Sequence, residues 1–192
     1  MGSVVYSKWK GINYARTYSK PTGEPTEKQQ NIRNAFGKLV QDWKQLNGVM
    51  HLGWETYAEN RNLTGFNAFI GANSANQKKG LPLRLFREMG EESLMNFTVV
   101  PGAAAGEISV SFLRTEEIAG RHVTFFTQKK VNGLAQGKFR RYDGGVDTAP
   151  PFTISGLEAG QEYFVYGVVT DSAFGTAAKA SESDSAVCAA GA

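Results

Sequence analysis

The spacing of apolar residues in this chain changes near Leu94. Before that point, apolar residues recur every three or four positions, as on one face of a helix; they are Ile32, Phe36, Leu39, Val40, Trp43 and Leu46. After it, apolar residues alternate with their neighbours at a period of two, as in a strand; examples are Ile108, Val110, Phe112, Val123, Phe125, Tyr163 and Val165. Turn residues separate these runs at intervals of about 8–15 positions. The pattern predicts an α+β chain in which helices precede an antiparallel β-sandwich.

Capping signals indicate where the helices begin and end. Thr26 followed by Gln29 is a capping-box pair, and Asn47-Gly48 is a typical helix stop. A long first helix is therefore expected between these signals. Two shorter helices are expected after it, one near residues 51–60 and one that Thr64 caps.

The segments on either side of these helices have extended character. Residues 3–18 are rich in β-branched and aromatic side chains, with Gly11 as a turn or bulge, and they predict an extended arm or a hairpin. Prolines at 21 and 25 then break regular structure. Residues 76–93 have leucines alternating around Pro82, which favours an extended connector over a helix.

The charge of the chain is unevenly distributed. The net charge is +3, but residues 1–92 hold 13 Lys and Arg against 8 Asp and Glu, whereas residues 93–192 hold 8 against 10. The basic excess lies almost wholly in the first 44 residues. Such a segment suits either an acidic protein surface or phosphate, and the composition leaves both open.

Residues 154–171 carry core and turn residues in a recognisable order. Ile154-Ser-Gly-Leu157 is followed by Gly160 and then by Tyr163, which opens a strand. This segment resembles the corner between strands E and F of a fibronectin type III domain. The resemblance implies that Leu157 fills the core, that Gly160 permits the turn, and that the Tyr163 hydroxyl bonds to upstream backbone. Phe112 stands where that family usually has tryptophan.

The N-terminal half carries a second pattern. It comprises Trp9-Lys10-Gly11-Ile12-Asn13-Tyr14-Ala15-Arg16, the loop with Pro21 and Pro25, the helical segment Thr26-Glu-Lys-Gln29-Gln-Asn-Ile-Arg33, and Thr64-Gly65-Phe66-Asn67. The pattern resembles one found in uncharacterised proteins of bacterial genomes and prophages, and it implies a phage-related structural protein. We therefore expect an arm, a three-helix unit and a connector in residues 1–92, and a fibronectin type III-like sandwich in residues 93–192.

Motifs that carry chemistry are missing from the sequence. There is no phosphate-binding glycine loop, no Gly-x-Ser-x-Gly elbow and no His-Glu-x-x-His helix. Cys188 is the only cysteine, and the only histidines are His51 and His122, so we expect no disulfide within the chain and no metal site. The adjacent pairs Glu91-Glu92 and Glu116-Glu117 are expected to point apart on the surface. The sequence predicts a protein that is not an enzyme and needs no cofactor.

These observations favour a virion structural or accessory protein of phage type, in capsid decoration or in the tail. It would dock on neighbouring capsid or tail subunits through its N-terminal half, be present in several copies, and display the sandwich. The predicted partner-binding residues have the aromatic and Arg types of interface hot spots; they are Trp9, Lys10, Tyr14, Arg16, Tyr18 and Arg33. Because no signal peptide or membrane segment is evident, assembly in the bacterial cytoplasm is expected.

Two alternatives stay open at this level. The first is a nucleic-acid-binding protein in which Trp9 and Tyr14 stack on bases. Its phosphate contacts would come from Lys8, Lys10, Arg16, Lys20, Lys28 and Arg33. The second is a hydrolase of surface glycans, which requires a pair of carboxylates that the sequence does not identify.

Overall fold

The structure is a computed structural model that describes residues 3–9, 11–18, 22–46, 48–85, 87, 94–113, 120–170 and 178–188. Within these ranges the elements are β1 (Val4–Trp9), β2 (Ile12–Thr17), α1 (Glu27–Gln45), α2 (Gly48–Ala58), α3 (Gly65–Lys79), β3 (Met95–Pro101), β4 (Ile108–Leu113), β5 (His122–Val131), β6 (Leu134–Val146), β7 (Phe152–Ile154), β8 (Glu162–Thr170) and β9 (Ala178–Val187). Three helices and antiparallel sheets confirm the predicted α+β class.

The chain divides into two compact units, Met1–Asn31 and Ile32–Ala192. The division falls inside α1, so that the β1–β2 hairpin belongs to the first unit and the sandwich to the second. The boundary predicted from the sequence, between residues 92 and 93, lies outside the described residues.

The first helix begins with the predicted capping box. The Thr26 backbone N–H donates to Gln29 Oε1 at 3.1 Å, and the Gln29 backbone N–H donates to Thr26 Oγ1 at 3.3 Å. These two bonds satisfy donors that a helix N-terminus otherwise leaves free. The predicted apolar face is buried only in its C-terminal half: Ile32 and Phe36 are 53% and 49% exposed, whereas Leu39 is buried.

The third helix is longer than the sequence pattern indicated. Thr64 caps its N-terminus as predicted, since Thr64 Oγ1 accepts from the Asn67 backbone N–H at 3.2 Å. The helix continues to Lys79, so residues 76–79 are helical and not part of an extended connector. Gly80 then ends it with φ +65°, and a Cβ there would lie 2.2 Å from the Gly133 carbonyl oxygen. Both the backbone angle and this contact require glycine.

Seven strands of the second unit form the predicted sandwich. One sheet has the order β3–β4–β7 and the other β6–β5–β8–β9, with antiparallel neighbours throughout. The corner before β8 also agrees with prediction: the Tyr163 hydroxyl accepts from the Glu158 backbone N–H at 3.2 Å, Leu157 is buried, and Gly160 has φ +73°. Phe112 is buried at the tryptophan position and contacts Phe125, with 5.9 Å between ring centroids.

The four-stranded sheet is buried on both faces. One face packs against the other sheet, through residues such as Phe125 and Val165. The opposite face contributes Phe126, Phe164 and Tyr166 to a second cluster, which also contains residues of α1, α2 and α3. The helices therefore cover the outer face of the sandwich and share a core with it, because a lone amphipathic helix cannot bury its apolar face.

Candidate protein-docking surface

The N-terminal arm forms a two-stranded antiparallel hairpin. Its register pairs Val4 with Thr17 at the open end and Trp9 with Ile12 at the turn. The Tyr18 backbone N–H donates to the Ser3 carbonyl oxygen at 2.7 Å, which extends the pairing beyond β2. Gly11 lies in the turn itself with φ +85°, an angle that favours glycine.

Directly paired residues of an antiparallel hairpin lie on the same face, and successive residues alternate between faces. One face, called here the Tyr14 face, contains the pairs Val5–Arg16 and Ser7–Tyr14 and the register position of Trp9–Ile12. The opposite face, called the Tyr6 face, contains the pairs Val4–Thr17, Tyr6–Ala15 and Lys8–Asn13. The hairpin thus presents a tyrosine and a cation on each face.

The hairpin is exposed along both strands. Every residue of β2 is exposed, including Ile12 at 66% and Tyr14 at 43%, and Tyr6 of β1 is 81% exposed. An isolated two-stranded hairpin is at best marginally stable in water, and unpaired strand edges are sites where another chain can pair. Exposed apolar groups in one contiguous strip are a common mark of an interaction surface.

The charge of this arm has one sign. Residues 1–23 contain four Lys and Arg and no Asp or Glu, and Glu24 is the first acidic residue of the chain. Lys8 and Arg16 are exposed, on opposite faces of the hairpin. A partner that contacts this surface therefore gains most from an acidic patch.

The structure brings only some of the predicted partner-binding residues onto one face. Tyr14 and Arg16 lie on the Tyr14 face, which also contains the register position of Trp9. Tyr18 follows β2 and is 55% exposed. Arg33 is exposed on α1 but belongs to the second compact unit, so it is not part of the hairpin. Lys10 lies outside the described residues, as does Lys20 of the nucleic-acid alternative.

Two residues of types that often carry chemistry, His51 and Cys188, have structural partners. His51 stacks on Trp43 with 4.2 Å between ring centroids, and its Nε2 lies 2.9 Å from the Trp43 carbonyl oxygen. Cys188 is buried, with Sγ donating to the Glu107 carbonyl oxygen at 3.4 Å. In the described part of the chain, no three His, Cys, Asp or Glu side chains are grouped as metal ligands. The pairs Glu91-Glu92 and Glu116-Glu117 lie outside that part.

Sequence reasoning missed one buried charged group, Asp42 on α1. Its carboxylate is fully buried, is paired with Lys38, and accepts from Gln128 Nε2 of β5 at 2.9 Å. Burial raises the pKa of the Asp42 carboxyl, and this effect exceeds the opposing influence of Lys38 and of the hydrogen bonds from Lys38 and Gln128. The hydrogen bond between Gln128 and Asp42 joins α1 to the sheet, and burial of the Lys38–Asp42 ion pair within the helix carries a cost in desolvation.

The raised pKa of Asp42 predicts how the stability of the folded chain changes with pH. The folded state holds the Asp42 proton more tightly than the unfolded state does, so this group lowers stability as pH rises from about 4 through the raised pKa. Asp42→Asn removes the titration. We expect the stability of the variant relative to the native chain to rise over that pH window, as measured by urea unfolding between pH 4 and 7. A difference that is constant, or that falls with rising pH, would contradict the assignment.

None of the helices in the described residues is both long enough and apolar enough to cross a membrane.

Comparison with known proteins adds family and fold information. The model of a family of unknown function (DUF6266) matches residues 1–119. No curated protein matches the sequence.

Similar solved structures contain fibronectin type III-like domains and match about half of this chain. The FN5 domain of Drosophila Lar is 14% identical, with a TM-score of 0.39, over 52% of this chain and 98% of that one. The FN1–FN3 domains of chicken CNTN1 are 14% identical, with a TM-score of 0.41, over 54% of this chain and 34% of theirs. Domains d3–d4 of rat CD45 are 13% identical, with a TM-score of 0.34, over 52% and 51%.

Proposed function

The chain belongs to the family of unknown function DUF6266, and we propose that it is a non-enzymatic protein-interaction subunit that docks on an acidic protein surface through the Tyr14 face of its hairpin. The observation that carries this proposal is that the hairpin is exposed and that the charged side chains of residues 1–23 are all positive. Tyr14 and Arg16 are of the residue types that dominate binding energy at interfaces, and they lie side by side on one face.

Docking would also bury apolar side chains that the free hairpin exposes to water. A partner strand or surface that covers the Tyr14 face would bury Ile12 near the turn, which is 66% exposed, and the partly buried Val5 near the open end. Burial of apolar area contributes about 25 cal/mol for each Å² removed from water. An acidic partner would in addition pair with the Arg16 guanidinium, whose planar fork suits a carboxylate.

We propose further that the assembly is a virion of phage type, with a capsid or tail subunit as the partner and several copies of this chain bound. What supports this setting is the sequence pattern of the N-terminal half, which resembles one in uncharacterised proteins of bacterial genomes and prophages. The fibronectin type III-like sandwich would then be the displayed part. The proposal assigns no reaction and no cofactor to the chain.

The nucleic-acid alternative fits the hairpin less well. Lys8 and Arg16 lie on opposite faces, so a single strand lying on one face would meet one of these two cations, not both. Affinity for nucleic acid depends on how many phosphates the protein neutralises. A hairpin face with one of these cations would therefore bind weakly, and its affinity would fall only slightly as the salt concentration rises.

Fractionation of native particles tests the proposed setting. We expect the chain to sediment with assembled particles and to remain there after nuclease treatment. Release by nuclease would favour the nucleic-acid alternative instead. Recovery of the chain only as a monomer in the host cytosol would contradict the virion assignment. Docking itself would then be tested separately, by measuring whether the chain binds an isolated capsid or tail subunit.

A further inference from the structure

A second surface, independent of the hairpin, lies where β5 and β6 separate. Thr127 pairs with Arg140, and Lys129 pairs with Gln136, so residues 137–139 stand opposite Gln128 alone. Bulges of this kind interrupt the ladder of backbone hydrogen bonds and occur often beside binding sites.

Side chains hold the bulge in place. The Gly137 carbonyl oxygen accepts from Gln128 Nε2 at 3.2 Å, and the Phe139 backbone N–H donates to Gln45 Oε1 of α1 at 3.1 Å. Because these bonds replace ladder bonds, the opening is a built feature of the sheet and not a frayed strand end. It leaves a groove of about 360 Å³, which lies at the lower end of the range of small-ligand sites.

The groove is lined by more positive than negative charge. Its lining includes Lys129, Lys138 and Arg140. Arg140 Nη1 donates to the Gly156 carbonyl oxygen at 3.2 Å, which fixes the guanidinium and leaves its other donors for a ligand. The carboxylate of Glu158 is paired with Lys129, and this pairing lowers the pKa of Glu158 and raises that of Lys129.

A buried polar group also lines the groove. Thr127 is 1% exposed, and its hydroxyl has no hydrogen-bond partner among the described residues. Buried hydroxyls in proteins nearly always have a hydrogen-bond partner, either in the protein or in ordered water. The Thr127 hydroxyl is therefore a buried donor without a partner among the described residues, on a residue that lines the groove.

From this geometry we infer that the groove at the β5–β6 bulge binds a small anion that carries a carboxylate or a phosphate group. Lys138 and Arg140 supply the charge and the directed donors, and Thr127 supplies a hydroxyl at the buried side. The Glu158 carboxylate is paired with Lys129, so it competes with an anionic ligand for that ammonium group.

Titration with inorganic phosphate and, separately, with citrate tests the inference, with the full chain and two-dimensional NMR or calorimetry as readout. We expect at least one of the two anions to bind with shifts centred on residues 127–129 and 136–140. The variant Lys138→Gln/Arg140→Gln should bind at least about tenfold more weakly. Glu158→Gln should bind several-fold more tightly, because it releases Lys129.

The matched control is Arg141→Gln. Arg141 neighbours Arg140 on β6 but pairs with Phe126, on the face of the sheet that the helices cover. The Arg141→Gln variant should change the affinity for either anion by less than about twofold. The choice between phosphate and citrate identifies the anion class. Absence of binding by both anions at millimolar concentration, or equal loss of affinity in the control and in the double variant, would overturn the inference.

Discussion

Replacement of Trp54 by alanine should destabilise the Ile32–Ala192 unit by about 3–5 kcal/mol. The indole is fully buried, lies edge-on to Phe69 at 5.6 Å between centroids, and donates from Nε1 to the Leu85 carbonyl oxygen at 3.0 Å. Alanine would leave a cavity in the cluster that joins the helices to the sheet, and it would remove the donor for a buried carbonyl.

Urea unfolding followed by both helix and sheet signals measures this loss. Leu52→Ala provides the control on the same helix, because Leu52 is 46% exposed and should cost little. Since helices and sheet share a core, both signals should shift together in Trp54→Ala. A loss below about 1 kcal/mol, or a shift confined to the helix signal, would mean that the shared core does not hold the unit together.

Loss of partner binding is the second large effect expected. The variant Tyr14→Ala/Arg16→Glu removes an aromatic anchor and reverses a cation on the Tyr14 face. Each hot-spot side chain typically contributes about 2 kcal/mol or more, so affinity for the assembled partner should fall at least about 100-fold. Both residues are exposed, so the folded state of the chain itself should be little changed.

The hairpin supplies a matched control for this experiment. Tyr6→Ala/Lys8→Glu makes the same two changes and the same change in net charge, but on the opposite face. It should weaken binding less than about threefold. Equal losses in the two variants would show that overall charge, and not the Tyr14 face, controls binding, as expected for contact with nucleic acid.

Local signals in the sequence were sufficient for several features of the fold. The Thr26–Gln29 capping box and the Thr64 cap depend on residues three positions apart, and both form as predicted. The Tyr163 corner likewise joins residues only five positions apart. Such short-range geometry is specified by residue type and spacing alone.

Features that depend on distant residues could not be predicted in this way. Asn73 and Gln77 are buried polar residues on α3 that interrupt its apolar period, so the sequence pattern does not indicate that the helix continues to Lys79. The Asp42–Gln128 bond joins positions 86 residues apart. No local pattern indicates such a pair.

The burial of both faces of the sheet does have a signal in the sequence. Residues 163–169 are nearly continuous in apolar character, which is typical of a strand covered on both sides and not of a strand with one solvated face. The groove at residues 137–139 could not be anticipated, because a bulge depends on how two strands align. For the docking surface, the sequence supplied the residue types, and the hairpin register supplied the face that Tyr14 and Arg16 share.

Hydrogen exchange of the hairpin amides, free and in the assembled complex, tests docking most directly. In the isolated chain we expect the amides of residues 4–9 and 12–18 to exchange rapidly, since a lone two-stranded hairpin opens readily. In the complex they should exchange at least about tenfold more slowly, while amides of β4 and β8 in the sandwich keep their rates. Unchanged exchange in the hairpin of a chain that is demonstrably bound would contradict docking through this surface.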